Sequence, residues 1–561
     1  MFRRNESHQQ SELFGSQTLL SEQKREKLAG SEEAVFYELI FRAIPEAEFA
    51  VLYSEADSRP NAPVNTLVAA LILKHRRAWS YQELFDHIDF DLKTRRALGL
   101  RELNETPFVE STIFNFQNRL AAHQAHTGEN LLERVFGRLT QSQLEALELK
   151  TSIQRADSFL AASNIRDYSR LQLIIEVLQR FCRILSEEQQ EGLPEPVKTH
   201  CAESSGKQIY RLPAADVPGK LAELGQIYRQ LLQDFKADYG DTEAWQILQR
   251  VFGEHFTEAS EQVKLRPASQ IQSGSLQSPD DPEATYRKKA GTTSRGQVIH
   301  VAETAHPDNP LNLITDVAVA PNNSDDAAIL AERAPIMDER TPALDELHVD
   351  GGYGSDQADQ ALADADAALI QTRVKGPAPA VRMDIEPAED GQEGYRVRCP
   401  HQSVEATRTP KQWKAEFDKS ICAECPLAGQ CPTTHGKAAR RWYFTPAEAD
   451  RQARWRRWEA LPEGRKTLRA NVEATIKEMK GAMDGGKLPV RGAFGAQCHG
   501  LLRAIGVNLG RIARYVADPD TDGSLAGLWE AMGERLGEFL PDIDLFSTRA
   551  GMPSGLVAAK N

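Results

Sequence analysis

Apolar positions recur at helical spacing from about residue 30 to 145. Leu67, Ala70, Leu71 and Leu73 open an amphipathic run. Ser80 and Glu83 then have the spacing of a capping box that starts a second helix through Leu84 and Ile88. The stretch Ser111 to Leu120 mixes polar and aromatic residues on one helix, which suits either a helix-turn-helix reading DNA or an ordinary bundle. A strand-like stretch from Thr151 to Phe159 carries Asp157 at its end. Helical stripes follow, through Leu171, Ile174, Ile175, Leu178, Phe181 and Leu185, and again from Leu221 to Phe235. These stripes read as core, and a Ser, Gln and Pro-rich loop from Pro267 to Pro282 closes the segment.

Period-two and continuous apolar runs then return. Gln297 to Glu303 and Leu313 to Ala320 predict a hairpin across the turn-rich HPDNP. A short helix from Asp325 to Glu332 leads to a strand from Leu344 to Val349, ending at Asp350. A helix over Gln357 to Ala363 and a strand over Ala367 to Gln371 complete the run. The order strand, helical insert, strand, strand, helix, strand, helix, strand predicts a mixed α/β core, closer to an RNase H-like sheet than to a doubly wound one. From Arg373 to Tyr443 the character shifts to Pro, Gly, charge and cysteine, and beyond Pro446 it is helical again. The tail after Phe546 reads as disordered.

Length changes the picture first: 561 residues exceed one core and imply roughly three or four domains. With 41% hydrophobic and 26% charged residues and no apolar leader, the chain reads as soluble, without a membrane partner, and cytoplasmic. The net charge of −14 argues against nucleic acid until its distribution is examined. Lys437 to Arg514 holds 17 Lys and Arg against 7 Asp and Glu, which leaves −24 for the rest of the chain. Such a strip could bind phosphate locally, or it could be a solvated helical face. Cys182, in an apolar helical pattern, reads as a buried small hydrophobe.

Two strand-end aspartates, Asp157 in QRADSF and Asp350 in ELHVDGGYGSD, have the setting that hard divalent cations use. Taken singly, each is equally a turn former. A third element joins them in RKTLRANVEATIKEMKGAM. There Arg469, Glu473 and Lys480 fall near one helical face, as a carboxylate between two phosphate-binding cations or as a surface ion-pair ladder. Cys399, Cys422, Cys425 and Cys431 lie within 33 residues. Four thiolates suit a closed zinc site, with His401 or His435 as substitutes; the other reading is four reduced cysteines in an unmetallated loop. In either case the segment reads as a short polar insertion without a core of its own.

These residues resemble the DDE transposases of bacterial insertion sequences. HVDGGYGS, RADSFLAASNI and the Arg–x3–Glu–x6–Lys signature carry the resemblance; WSYQELFDHI, STIFNFQNRL and DPEATYRKKAG extend it over most of the chain. It implies Asp157, Asp350 and Glu473 as a triad binding Mg²⁺ or Mn²⁺, Arg469 and Lys480 as DNA contacts, and double-stranded DNA at element ends and target as partner. Glu478 competes with Glu473 but lacks the spacing from Arg469. Lys466 stands where relatives often have Tyr, so a phosphate contact replaces a stacking one. Arg454, Arg456 and Arg457 in the basic strip join the expected DNA contacts. The resemblance further implies a homodimer or higher assembly on DNA, and a bacterial, nucleoid-associated setting.

The expected organisation is a helical DNA-binding domain over 1–145, followed by an RNase H-like core over 146–372 with a helical insert at about 165–270. A cysteine-rich, zinc-binding insertion follows over 373–445, then the second part of the core over 446–520, and a partly disordered extension over 521–561. The expected reaction is metal-dependent cleavage at element ends and joining of 3′ ends to target DNA. The alternatives are an RNase H-like nuclease without strand transfer and a silent, domesticated DNA-binding protein.

Overall fold

The computed structural model describes residues 1–9, 19–56, 60–210, 212–259, 262–289, 291–372, 381–388 and 394–518. The extension expected over 521–561 lies outside them.

The regular elements among the described residues up to 146 are all helical, as the periodicity requires. Helix α1 (Val64–Arg77) is buried along most of its length, and the next helix, Tyr81–Phe90, opens on the capping box of Ser80 and Glu83. Helix α2 (Leu131–Ala146) brings the chain to the sheet. This region does not close a core alone. Leu67, Leu71, Val135 and Leu139 share one apolar cluster with Phe159 and Val301 of the sheet and with Leu501, Ile505 and Leu509 far along the chain.

The central sheet has six strands: β1 (Ile153–Ala162), β2 (Thr285–Lys289), β3 (Thr292–Thr304), β4 (Ile314–Pro321), β5 (Glu346–Val349) and β6 (Ala368–Gln371). The path runs β2-β3-β1-β5-β6, with β4 also paired to β3. β1 pairs antiparallel to β3 and parallel to β5, and β5 pairs parallel to β6, so the sheet is mixed. Helices α3 (Asp326–Arg340) and α4 (Asp356–Ala363) supply the crossovers that parallel pairs need. α3 runs well past the predicted Glu332 and tolerates Pro335 inside it.

Three features differ from expectation. β1 continues to Ala162, so Asp157 lies mid-strand and does not end it. β2, with the polar sequence TYRKK, was not predicted, and neither was the small hairpin Phe256–Ala259 with Gln262–Leu265. Between β1 and β2, helices such as Arg170–Ile184, Val217–Asp234 and Glu243–His255 bury the predicted stripes in a separate apolar cluster, Cys182 included.

The cysteine-bearing segment also departs from expectation. Its described residues form a six-stranded sheet from Asp384 to Phe444, with the path 434–435, 439–444, 413–418, 403–408, 395–398, 384–387. Met383, Ile385, Val397, Trp413, Ala415, Phe417 and Phe444 form an apolar core of its own, so the notion of a coreless insertion is corrected. Helices α5 (Pro446–Glu459), α6 (Val472–Lys480) and α7 (Ala493–Ala517) follow. No helix among the described residues is long and apolar enough to cross a membrane.

Candidate active site

Sheet register brings the two aspartates together. Parallel pairing sets Arg155 opposite His348, so two residues further on each strand Asp157 meets the position of Asp350. Strands in a ladder lie about 4.8 Å apart, which makes the two carboxylates neighbours at the carboxyl edge of β5. Asp350 sits in a tight turn: its Oδ1 accepts from the Gly352 amide at 2.6 Å. A Cβ at position 352 would stand 2.9 Å from that oxygen and 3.2 Å from Asp326 Oδ2, so this turn needs glycine.

Asp157 is buried and accepts from the Ser158 amide at 2.8 Å. Burial holds its carboxyl above the ordinary aspartate value. The Arg469 guanidinium and the Ser158 amide oppose that rise, and the charges of Asp350 and Glu473 add to it. Asp157 therefore lies within electrostatic reach of the other two carboxylates expected to act with it.

Arg469 is the group among them. It lies in a 3₁₀ turn, Leu468–Asn471, just ahead of α6, where a continuous helix had been expected. Its Nη2 ion-pairs with Asp157 and stands 3.6 Å from Glu473 Oε1. Glu473, in the first turn of α6, keeps its side chain 63% exposed. One guanidinium thus stands between these two carboxylates.

Glu478 has a different neighbourhood. Arg511 holds it at 3.0 and 2.8 Å and Arg514 at 3.1 Å, against α7. The α6 helix is fixed by a buried carboxylate that no sequence pattern marked. Glu303 on β3 accepts from Arg155 Nε at 2.7 Å, Thr475 Oγ1 at 2.6 Å and Arg511 Nη1 at 2.7 Å. Arg155 also donates to the Leu468 carbonyl at 3.2 Å, beside Arg469. One carboxylate therefore ties strand, α6 and α7 into a fixed relation.

The expected DNA contacts are placed unevenly. Lys480 ends α6 with its Nζ 5.1 Å from the centre of the Phe159 ring, two residues along β1 from Asp157. Lys466 pairs with Glu463 at 2.7 Å and lies over Trp458. Arg454 is buried against Asp359, Arg457 reaches the same carboxylate at 3.0 Å, and Arg456 donates to the Ile385 carbonyl at 2.7 Å. All three face protein groups.

Cys399, Cys422, Cys425 and Cys431 line one small cavity of about 20 Å³, together with His401. Burial pushes the Cys422 thiol up, with Cys399 and Cys431 adding to the effect. His435 lies against Arg440. Among the described residues no group of three or more His, Cys, Asp or Glu is drawn together closely enough to hold a metal ion, here or at the triad.

The chain matches two family models, described as "Transposase DDE domain" over residues 392–513 and "Transposase domain (DUF772)" over residues 23–119. The first spans most of the cysteine-bearing sheet, Arg469, Glu473 and most of α7, but not the strands bearing Asp157 and Asp350. The second covers α1 and the helices around it. No curated protein and no solved structure matches the chain. Two transposase matches, one at each end of the fold and joined through one core, support a DDE-type transposase of an insertion sequence.

Proposed function

We propose that this transposase binds the ends of its own element, cuts phosphodiester bonds there with a divalent metal, and joins the freed 3′ ends to target DNA. The observation that carries the reading is that Asp157 and Glu473 share the Arg469 guanidinium while Asp350 lies beside Asp157 on the neighbouring strand of a mixed sheet. The strand order, with β1 antiparallel to β3 and parallel to β5, supports an RNase H-like core.

Asp157, Asp350 and Glu473 fit Mg²⁺ or Mn²⁺ in donor chemistry, since hard cations take carboxylate oxygen. Bound there, a cation would activate the attacking oxygen and neutralise charge on the phosphate. Arg469 then has a second role. Released from Asp157, its guanidinium can hold a phosphate oxygen in two-point contact, and Lys480 can add a point charge. Glu473, exposed in the first turn of α6, can approach without unpacking the helix. The four cysteines fit zinc in type and number and share one cavity, although their sulfurs would have to draw together; zinc there would brace the sheet before α6. The helices over 1–145 would read the element end, and the active form would be a homodimer or larger on DNA.

The test is incubation with DNA carrying the element's ends and Mg²⁺, followed by mapping of cut and joined strands. Asp157→Asn, Asp350→Asn and Glu473→Gln should each bind ends and fail to cut. Cutting without joining would reduce the chain to a nuclease; binding without cutting by the unaltered protein would make it a silent DNA-binding relative.

A further inference from the structure

We propose that an open cleft beside Asp350, walled by β2, seats the sugar-phosphate backbone of a DNA strand, at a contact surface outside the basic strip Lys437–Arg514. The proposal rests on the reading of this chain as a DNA-cutting enzyme. The cleft measures about 460 Å³, and its lining includes Tyr286, Arg287 and Lys288 on one side and Ser324, Asp326 and Gly352 on the other. Gly352 lies two residues from Asp350, and Asp326 accepts a hydrogen bond from Ser158, the neighbour of Asp157, at 2.6 Å. The cleft therefore lies beside Asp350 and Asp157, one residue or one hydrogen bond removed from each.

Its lysine charge is free, whereas Arg454, Arg456, Arg457 and Arg469 of the basic strip are held by protein groups. Lys288 and the adjacent Lys289 are exposed at the end of β2, and neither has an acidic partner among the described residues. Arg287 donates to the carbonyls of Asn322 and Ser324 at 3.0 and 3.2 Å, which holds the opposite wall in place. The two acidic residues of the lining are engaged: Asp325 caps α3 by accepting from the Ala327 amide at 3.1 Å, and Asp326 holds Ser158. Tyr286 supplies an aromatic ring, with the Arg295 guanidinium over it at 5.7 Å. Lysine charge, a neighbouring ring and hydroxyl or amide donors in an open trough are what a nucleic-acid strand uses. A small molecule would call for a more enclosed and more apolar pocket.

The experiment uses the full chain and a short duplex of arbitrary sequence, with affinity measured over a salt series. Lys288→Glu with Lys289→Glu changes two exposed residues, and its melting temperature should match that of the parent. Each lost phosphate contact removes roughly 0.9 from the slope of log affinity against log salt, so the slope should flatten by about one through Lys288, the lysine of the lining. Independently, a photo-crosslinking benzoylphenylalanine in place of Tyr286 should crosslink to the duplex. If the parent binds DNA and the double variant matches it in affinity and slope, the cleft proposal falls while the enzyme reading stands. The same follows if position 286 gives no crosslink where the same amino acid at position 480 does. If the parent binds no DNA at any salt, both fall together.

Discussion

Between Lys437 and Arg514 the chain places 17 Lys and Arg; strand β2, Thr285–Lys289, places three in five residues. In the longer region much of the arginine charge is committed to protein groups. Arg454 and Arg457 hold Asp359, Arg465 holds Glu346, Arg469 holds Asp157, and Arg511 bridges Glu303 and Glu478. Arg503 donates to the carbonyls of His75, Arg76 and Glu478, tying α7 to α1 and α6. In β2 the two lysines face outward, and only Arg287 is committed to the fold. By number the strip leads on either count, since Lys437, Arg451, Lys477 and Lys480 are exposed without an acidic partner among the described residues; by proportion β2 leads, with two of its three cations free. Guanidinium groups suit the buried role because their fork satisfies several acceptors at once, whereas a lysine ammonium is strongly hydrated and favours the surface.

The sharpest way to break this contrast is to reverse Arg454, Arg456 and Arg457 to Glu together. Were they DNA contacts, the fold would survive and only DNA binding would weaken. The geometry predicts loss of fold instead, by on the order of 5 kcal/mol, because new carboxylates would crowd Asp359 where a buried pair had been. Urea unfolding of the triple variant decides between them.

A second test sharpens the structural role of the region through acidity. His499 of α7 meets His75 of α1 at 2.8 Å between Nδ1 atoms, and both rings are buried. Burial, and then Arg503 and Lys74, hold the His499 imidazole down from 6.5 to about 4. Between those values the unfolded chain binds the extra proton, so stability is full above the unfolded value and is lost as pH falls towards 4. The loss should be on the order of 3 kcal/mol. His499→Gln should flatten that dependence in urea titrations across this range.

Smaller effects separate the two glutamates of α6. Glu478→Gln weakens charge-assisted hydrogen bonds to Arg511 and Arg514 and should cost about 1 kcal/mol while cleavage persists. Glu473→Gln should leave stability within about 0.5 kcal/mol, its side chain being largely exposed, and abolish cleavage. The reverse pattern would move the third carboxylate to Glu478. Smallest of all, Lys288→Ala and Lys289→Ala should leave melting unchanged, again within about 0.5 kcal/mol. A measurable drop would mean that these lysines, too, serve the fold.

What sequence could reveal follows from the range of each interaction. Helices over 22–146, the stripes around Leu178 and Tyr228, and the run from Gln297 to Gln371 were legible because their signals are local and periodic. Strand β2 was not, since TYRKK has no apolar face and is defined by pairing with Thr292–Gly296. The cysteine-bearing sheet was missed because its core draws one or two apolar residues from each of several short strands, among them Val397, Trp413, Ala415 and Phe417, in a charged background. Asp157, Asp350 and Glu473 could be nominated from their settings, but their partners could not. Arg469 reaches Asp157 across 312 positions and Arg511 reaches Glu303 across 208, separations at which no spacing rule operates.

Glu303 also sets a schedule for biosynthesis. Asp157 and Asp350 leave the ribosome long before Arg511, yet the helix carrying Glu473 is anchored through Thr475 and Arg511 to that one buried carboxylate. α7, which supplies Arg511, must further pack against α1 from the opposite part of the chain. A nascent polypeptide halted before residue 511 would carry both aspartates on a sheet whose third carboxylate has no fixed position. On the proposed chemistry, translation that stalls or terminates early therefore yields fragments unable to cut DNA, and the host genome is exposed only to polypeptides whose synthesis has passed that point.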